Sequence, residues 1–120
     1  MINYKRLGLS FLEAFRGLKT VFKYEQNFRL QVYFAILVFV LMFVLNLSKS
    51  EKIVLWLLIF LVLIMEVINS VVEKLLDVVE PRLSEQVGVI KEIMAGAVFL
   101  SSVAALLIGL FIFYPYLIAL

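Results

Sequence analysis

The stretch Ile53–Val79, IVLWLLIFLVLIMEVINSVVEKLLDVV, decides how the rest of the chain is read. Its first 13 residues, through Met65, carry no charge. Glu66, Asn69, Glu73 and Asp77 then follow at spacings of 3, 4 and 4. At about 100° per residue these four fall within an arc of about 80°, one stripe of one helix, running roughly 16 Å along it. Ionisable groups in a bilayer are costly, so carboxylates on one face of an apolar helix mark a functional site by default.

The rest of the composition agrees with a membrane setting. Of the 120 residues 65% are hydrophobic, and the mean hydropathy is +1.12. A soluble domain of this size has no interior large enough for so much apolar surface, since ordinary globular chains are about 45–50% apolar. The expectation is an all-α integral membrane protein, with residues 1–120 forming one compact unit. Cysteine and histidine are both absent. That excludes disulfides, thiolate nucleophiles, imidazole bases and histidine phosphoryl carriers. Any metal must be held by hard oxygen ligands, which favours Mg²⁺ over zinc or copper, and proton transfer at neutral pH falls to a carboxylate.

Upstream, Leu7, Phe11, Phe15, Leu18 and Phe22 recur at helical spacing, with Arg16, Lys19 and Lys23 on the opposite side. This predicts an amphipathic helix over about 5–24 with a basic face, suited to the headgroup region or to packing on its own bundle. Leu30–Leu47 has no charge and is just long enough to span; the first span is placed at about 28–47. Asn46 to Lys52 form a polar turn. The second span covers about 52–79 and is ended by Glu80-Pro81, because proline disfavours helix at the residue before it. A charged loop over 80–92 leads into a third span, about 86–114, with Tyr114, Pro115 and Tyr116 at its interfacial end. The basic N-terminus shares a side with Arg82 and Lys91, so the positive-inside rule places both in the cytoplasm. No short apolar core with a small-residue cleavage site follows the basic start, so no signal peptide is expected.

Glu66 lies about halfway along its helix among Ile64, Met65, Val67 and Ile68, where a carboxylate suits accepting a proton from a substrate hydroxyl. A hydrogen-bonded helix glue is the plainer reading of such a residue. Glu73 and Asp77 stand closer to water, and Glu25 enters the first span at a similar depth. Carboxylates from two helices at this interface can hold one Mg²⁺ carrying nucleotide phosphates; solvated acids paired with Lys74 or Lys23 are the alternative. Lys91 opens the third helix, either to neutralise a phosphoryl group or as a snorkelling anchor. Ala95-Gly96-Ala97 beyond it permits close helix approach. No glycine-rich stretch precedes Lys-Ser or Lys-Thr, and the soluble kinase signatures are missing.

Glu66-Val-Ile-Asn69-Ser70-Val-Val-Glu73-Lys-Leu-Leu-Asp77 resembles the signature of the small bacterial membrane diacylglycerol kinases, whose Gram-positive branch phosphorylates undecaprenol. Glu25-Gln-Asn27-Phe28-Arg29 resembles that family's first-span motif. Lys91-Glu92 through Ala95-Gly96-Ala97-Val98 resembles its third-helix motif, and the likeness covers nearly the whole chain. It implies a homotrimer of three-span subunits in the bacterial inner membrane, with active sites shared between neighbours. It also implies direct transfer of the ATP γ-phosphoryl group to a lipid hydroxyl. By resemblance, Glu66 is the general base, and Glu25 and Glu73 are the magnesium ligands. Arg6, Lys91 and Glu92 contact the nucleotide. Asn27, Phe28, Arg29 and Gln31, with Glu66, Asn69 and Ala95, line the lipid pocket.

Two departures stand out. The family usually has Lys-Asp where this chain has Lys91-Glu92, and many members carry a histidine in the 80–92 loop, near the place of Ser84. These keep a catalytically inactive relative in view. The expectation is an ATP- and Mg²⁺-dependent lipid kinase acting on diacylglycerol or undecaprenol, with no nucleic-acid partner. A small proton-coupled transporter using Glu66, or a non-catalytic assembly subunit, are the other classes. The cluster of Glu25, Glu73, Asp77 and Lys91 argues against transport, which has no use for a metal site there.

Overall fold

The structure is a computed structural model describing residues 1–79 and 84–120. Its described residues form four helices, α1 (Tyr4–Tyr24), α2 (Gln26–Val44), α3 (Lys49–Val79) and α4 (Ser84–Ile118). The last three are long and apolar enough to cross a membrane. The expected all-α membrane architecture is therefore present. The expected stop at Glu80-Pro81, and Arg82, lie outside the described residues.

The helix ends differ from expectation by a few residues, each for a local reason. α1 begins at Tyr4 because the Asn3 side chain caps it, accepting from the Arg6 amide at 3.1 Å. α2 stops at Val44, short of the expected Leu47. Asn46 takes a left-handed conformation (φ 54°), and the Leu47 amide donates back to the Met42 carbonyl at 3.3 Å. This is the six-to-one closure of a Schellman motif, in which asparagine is tolerated and the flanking apolar pair packs together. Met42 and Leu47 are both buried in one cluster with Leu55 and Phe113.

α3 starts before the expected position 52 because Ser48-Lys49-Ser50-Glu51 forms a capping box. The Glu51 amide donates to Ser48 Oγ at 3.3 Å, and the Ser48 amide donates to Glu51 Oε1 at 3.0 Å. α4 runs past the expected end at 114, with Pro115 inside its last turns. Tyr116 donates a hydrogen bond to Glu51, joining the ends of α3 and α4 away from the carboxylate stripe. The expected loop over 80–92 is thus shorter, since Ser84 onward is helical.

α3 is the central element, packed against each of the other three helices, most extensively α4. Its buried positions Leu55, Val62, Glu66, Ser70 and Leu76 form one face, continuing from pure hydrocarbon into polar chemistry. The outer helices are far less covered: only 11% of the apolar stretch of α2 and 6% of that of α4 is buried. An edge-to-face contact of Phe39 with Trp56, at a centroid distance of 5.2 Å, joins α2 to α3, and Phe39 also meets Phe43 within α2 at 5.0 Å. Such pairs add about 0.5–1.5 kcal/mol beyond area burial.

Candidate functional site

α1 and α2 meet without a loop. Glu25 alone breaks the helical path, with φ −108° and ψ 108°. Its amide closes α1 by donating to the Val21 carbonyl at 2.8 Å, and its carbonyl accepts from the Arg29 amide at 3.2 Å. Val21 and Phe28, one on each side of the joint, are both buried. The Glu25 side chain meets α3, where Ser70 Oγ donates to Glu25 Oε1 at 3.4 Å. Ser70 is only 2% exposed. Two carboxylate-bearing elements 45 residues apart in sequence are thereby brought together.

Glu66 stands one turn along α3 from Ser70 and is only 5% exposed. Its carboxylate has no hydrogen-bond partner among the described residues, and none of its oxygens is sealed from solvent. Both Glu25 and Glu73 are within electrostatic reach of it. Glu73 is half-buried and accepts from Asn69 Nδ2 at 3.2 Å, so the stripe is internally bonded at its middle. At its far end Asp77 is exposed and pairs with Lys91 Nζ on α4 at 3.7 Å. Lys74 Nζ lies 6.0 Å from the Tyr24 ring in the last turn of α1 and makes no ion pair among the described residues.

No group of three carboxylates converges on one point among the described residues. Glu25 and Glu73 are, in donor chemistry, the kind of carboxylate that magnesium takes. That ion takes one or two carboxylates and fills its octahedron with water and substrate phosphate. The donors are hard oxygens, and Ser70 already orients one of them.

The remaining expected site residues are distributed unevenly. Phe28 is buried, and Arg29 turns back toward α1, its Nη1 donating to the Phe22 and Lys23 carbonyls at 3.0 and 2.7 Å. Asn27, Glu92 and Ala95 are exposed. Arg6 is exposed in the first turn of α1 and has no ion pair among the described residues. Gln31 lines an apolar groove of about 340 Å³ between α2, α3 and α4. That groove begins at Val62 and Leu63, about one turn from Glu66, and continues to Leu55 and Phe113. Sequence reasoning assigned no role to Ser70. The signal was its place four residues after Glu66, which puts it on the same buried face.

Comparison with known proteins bears on the same residues. The sequence model described as Prokaryotic diacylglycerol kinase matches residues 13–113, covering the α1–α2 joint, the stripe and the start of α4. The undecaprenol kinase of Bacillus subtilis (strain 168) is 32% identical over 110 residues, which cover 92% of this chain and 89% of that protein. The diacylglycerol kinase of Synechocystis sp. (strain ATCC 27184 / PCC 6803 / Kazusa) is 31% identical over 115 residues, covering 95% of this chain and 66% of that protein. A match over the joint and all three spans, with two relatives aligned over nearly its whole length, shows that this chain belongs to the prokaryotic diacylglycerol kinase family.

Proposed function

We propose that this chain is a lipid kinase that moves the γ-phosphoryl group of ATP to the primary hydroxyl of diacylglycerol or undecaprenol, with Mg²⁺ as cofactor. The observation that carries the reading is Glu66: nearly buried, without a hydrogen-bond partner among the described residues, and flanked by Glu25 and Glu73. A structural glue residue would be bonded to a neighbouring helix. Here the carboxylate is left free to accept a proton.

In the reaction, Glu66 takes the proton of the lipid hydroxyl as its oxygen bonds to the γ-phosphorus. The bond from that phosphorus to the bridging oxygen breaks, and ADP leaves. Glu25 and Glu73 would hold magnesium, which when bound offsets phosphate charge. Phosphoryl transfer draws mainly on positioning and electrostatics, consistent with a site that has no nucleophilic histidine or cysteine. Lys91, Glu92 and Arg6 serve the nucleotide. Releasing Lys91 from Asp77 costs little, because an exposed pair is worth about 0–1 kcal/mol. Asn27, Gln31, Asn69 and Ala95 serve the lipid, and the apolar groove beginning one turn from Glu66 suits a hydrocarbon tail.

By the positive-inside rule the basic N-terminus and the 80–92 stretch belong on the cytoplasmic side. The family resemblance implies a homotrimer, and the thin cover over α2 and α4 leaves apolar faces that further copies or lipid can cover. The test is purified protein in mixed micelles with labelled ATP and Mg²⁺, offered each lipid in turn. Label entering one lipid and not the other names the acceptor. Label entering neither, with intact folded protein, overturns the reading. The proton-carrier alternative needs no nucleotide, so magnesium-dependent ATP binding separates the two.

A further inference from the structure

The α1–α2 joint carries an inference that rests on the kinase reading and deepens it. A helix that ends in a single non-helical residue leaves its last carbonyls without helical donors. Glu25 is that residue, and its amide satisfies only Val21. The Phe22 and Lys23 carbonyls are met by Arg29, which lies one turn into α2 and reaches back over the joint with Nη1. A cation bonded to the carbonyl end of a helix is favoured both by charge-assisted hydrogen bonding and by the helix dipole. Arg29 also donates its own amide to the Glu25 carbonyl. That amide bond is the first helical bond of α2, which any residue but proline would make, so it is the guanidinium that ties α1 to α2 across Glu25.

We propose that Arg29 is a positioning residue for Glu25: by clamping the end of α1 onto α2 it fixes where the Glu25 carboxylate meets Ser70 on α3. The family resemblance placed Arg29 with the lipid pocket. A guanidinium nitrogen bonded twice to α1 carbonyls is committed to the joint instead. Arg29 bonds backbone carbonyls of α1 and so acts on the course of the joint, whereas Ser70 bonds the Glu25 carboxylate and acts on the side chain alone.

The test uses Arg29→Gln, Arg29→Lys and Ser70→Ala in the full chain, with two readouts. The first needs neither magnesium nor activity. The chain has no cysteine, so Phe15→Cys and Val78→Cys, at exposed positions on α1 and α3, accept spin labels at known sites only. Labelled protein diluted with unlabelled protein then reports the α1–α3 distance within one chain. Arg29→Gln is expected to broaden or shift that distance distribution, whereas Arg29→Lys, which keeps a cation for the same carbonyls, stays close to wild type.

The second readout is kinetic. Arg29→Gln is expected to raise the Mg²⁺ concentration for half-maximal rate by about tenfold or more, as loss of a ligand-orienting partner does. The KM for the lipid probe, undecaprenol or diacylglycerol in mixed micelles, stays unchanged. Ser70→Ala shifts the magnesium dependence in the same direction without moving the labels. A raised lipid KM with unaltered label distances and magnesium dependence would show that Arg29 touches the lipid, and would overturn the proposal. Moved labels with unchanged magnesium dependence would overturn it too, leaving Arg29 a purely structural cap. If Arg29→Gln does not accumulate in membranes, Arg29→Met, which keeps much of the stem and removes the cation, takes its place; unmoved labels or wild-type magnesium dependence in that variant overturns the proposal. Wild-type protein without lipid phosphorylation would instead defeat the kinase reading, while the label distances still report the clamp.

Discussion

Replacing Glu66 by glutamine exchanges one carboxylate oxygen for an amide nitrogen and leaves the side-chain volume nearly unchanged. At a position only 5% exposed, that matters, because a smaller residue would also open a cavity and confuse the result. No hydrogen bond among the described residues is lost, since the carboxylate accepts none. Glu25 and Glu73 both act on Glu66 as like charges, so the neutral amide relieves repulsion. Stability is therefore expected to stay level or rise. The rate is expected to move the other way. A positioned general base contributes about 10²–10⁴-fold, and each decade is 1.36 kcal/mol, so the barrier should rise by about 3–5 kcal/mol. Glu66→Asp gives a second point. Removing one methylene draws the carboxylate back by about 1.5 Å, a displacement that can itself cost about 10² in rate. Initial rates with labelled ATP in mixed micelles, thermal unfolding in the same micelles, and titration with a fluorescent ATP analogue separate the three quantities. Glu66→Gln retaining a tenth or more of wild-type kcat would refute the role of base. So would a loss of ATP binding in step with the rate, which would make Glu66 part of the nucleotide site.

Other substitutions probe other parts of the molecule. Met42 is 0% exposed against Leu47, Leu55 and Phe113, so Met42→Ala is expected to destabilise by about 2–5 kcal/mol; denaturant titration in micelles checks this, and a change below about 1 kcal/mol would mean the cluster collapses freely. Tyr116→Phe removes the bond to Glu51 at the end of the bundle away from the stripe. It is expected to lower the unfolding midpoint with kcat unaltered, and the reverse pattern would contradict the assignment of that end as structural. Asp77→Asn breaks a pair whose acid is 65% exposed, so the stability change should stay under about 1 kcal/mol. Its effect on ATP affinity reports whether Asp77 restrains Lys91: tighter nucleotide binding is expected, and weaker binding would make Asp77 a ligand in its own right.

The span pattern was legible in the sequence because a bilayer offers the backbone no partner. Eighteen or more apolar residues then have to be helix, and three such segments appear where the hydropathy put them. The stripe was legible for the same reason, since helical periodicity is a local property and Glu66, Asn69, Glu73 and Asp77 share a face whatever surrounds them. Helix ends were less so. The Schellman closure at Asn46 and the capping box at Ser48 rest on two or three hydrogen bonds each, and hydropathy does not register them. Both motifs have sequence signatures, Ser-x-x-Glu among them, that a reading led by hydropathy passes over.

What the sequence alone determined is therefore what local chemistry dictates: three apolar helices, an amphipathic basic helix before them, and a row of carboxylates on the middle span. What only the tertiary structure decided is which groups complete that row. Ser70 meets Glu25 across 45 residues, Asp77 meets Lys91 on another helix, and Arg29 folds back onto α1. Each pairing depends on where one helix axis lies against another. That placement comes from side-chain packing and from a one-residue joint, both properties of the assembled chain and of no single segment.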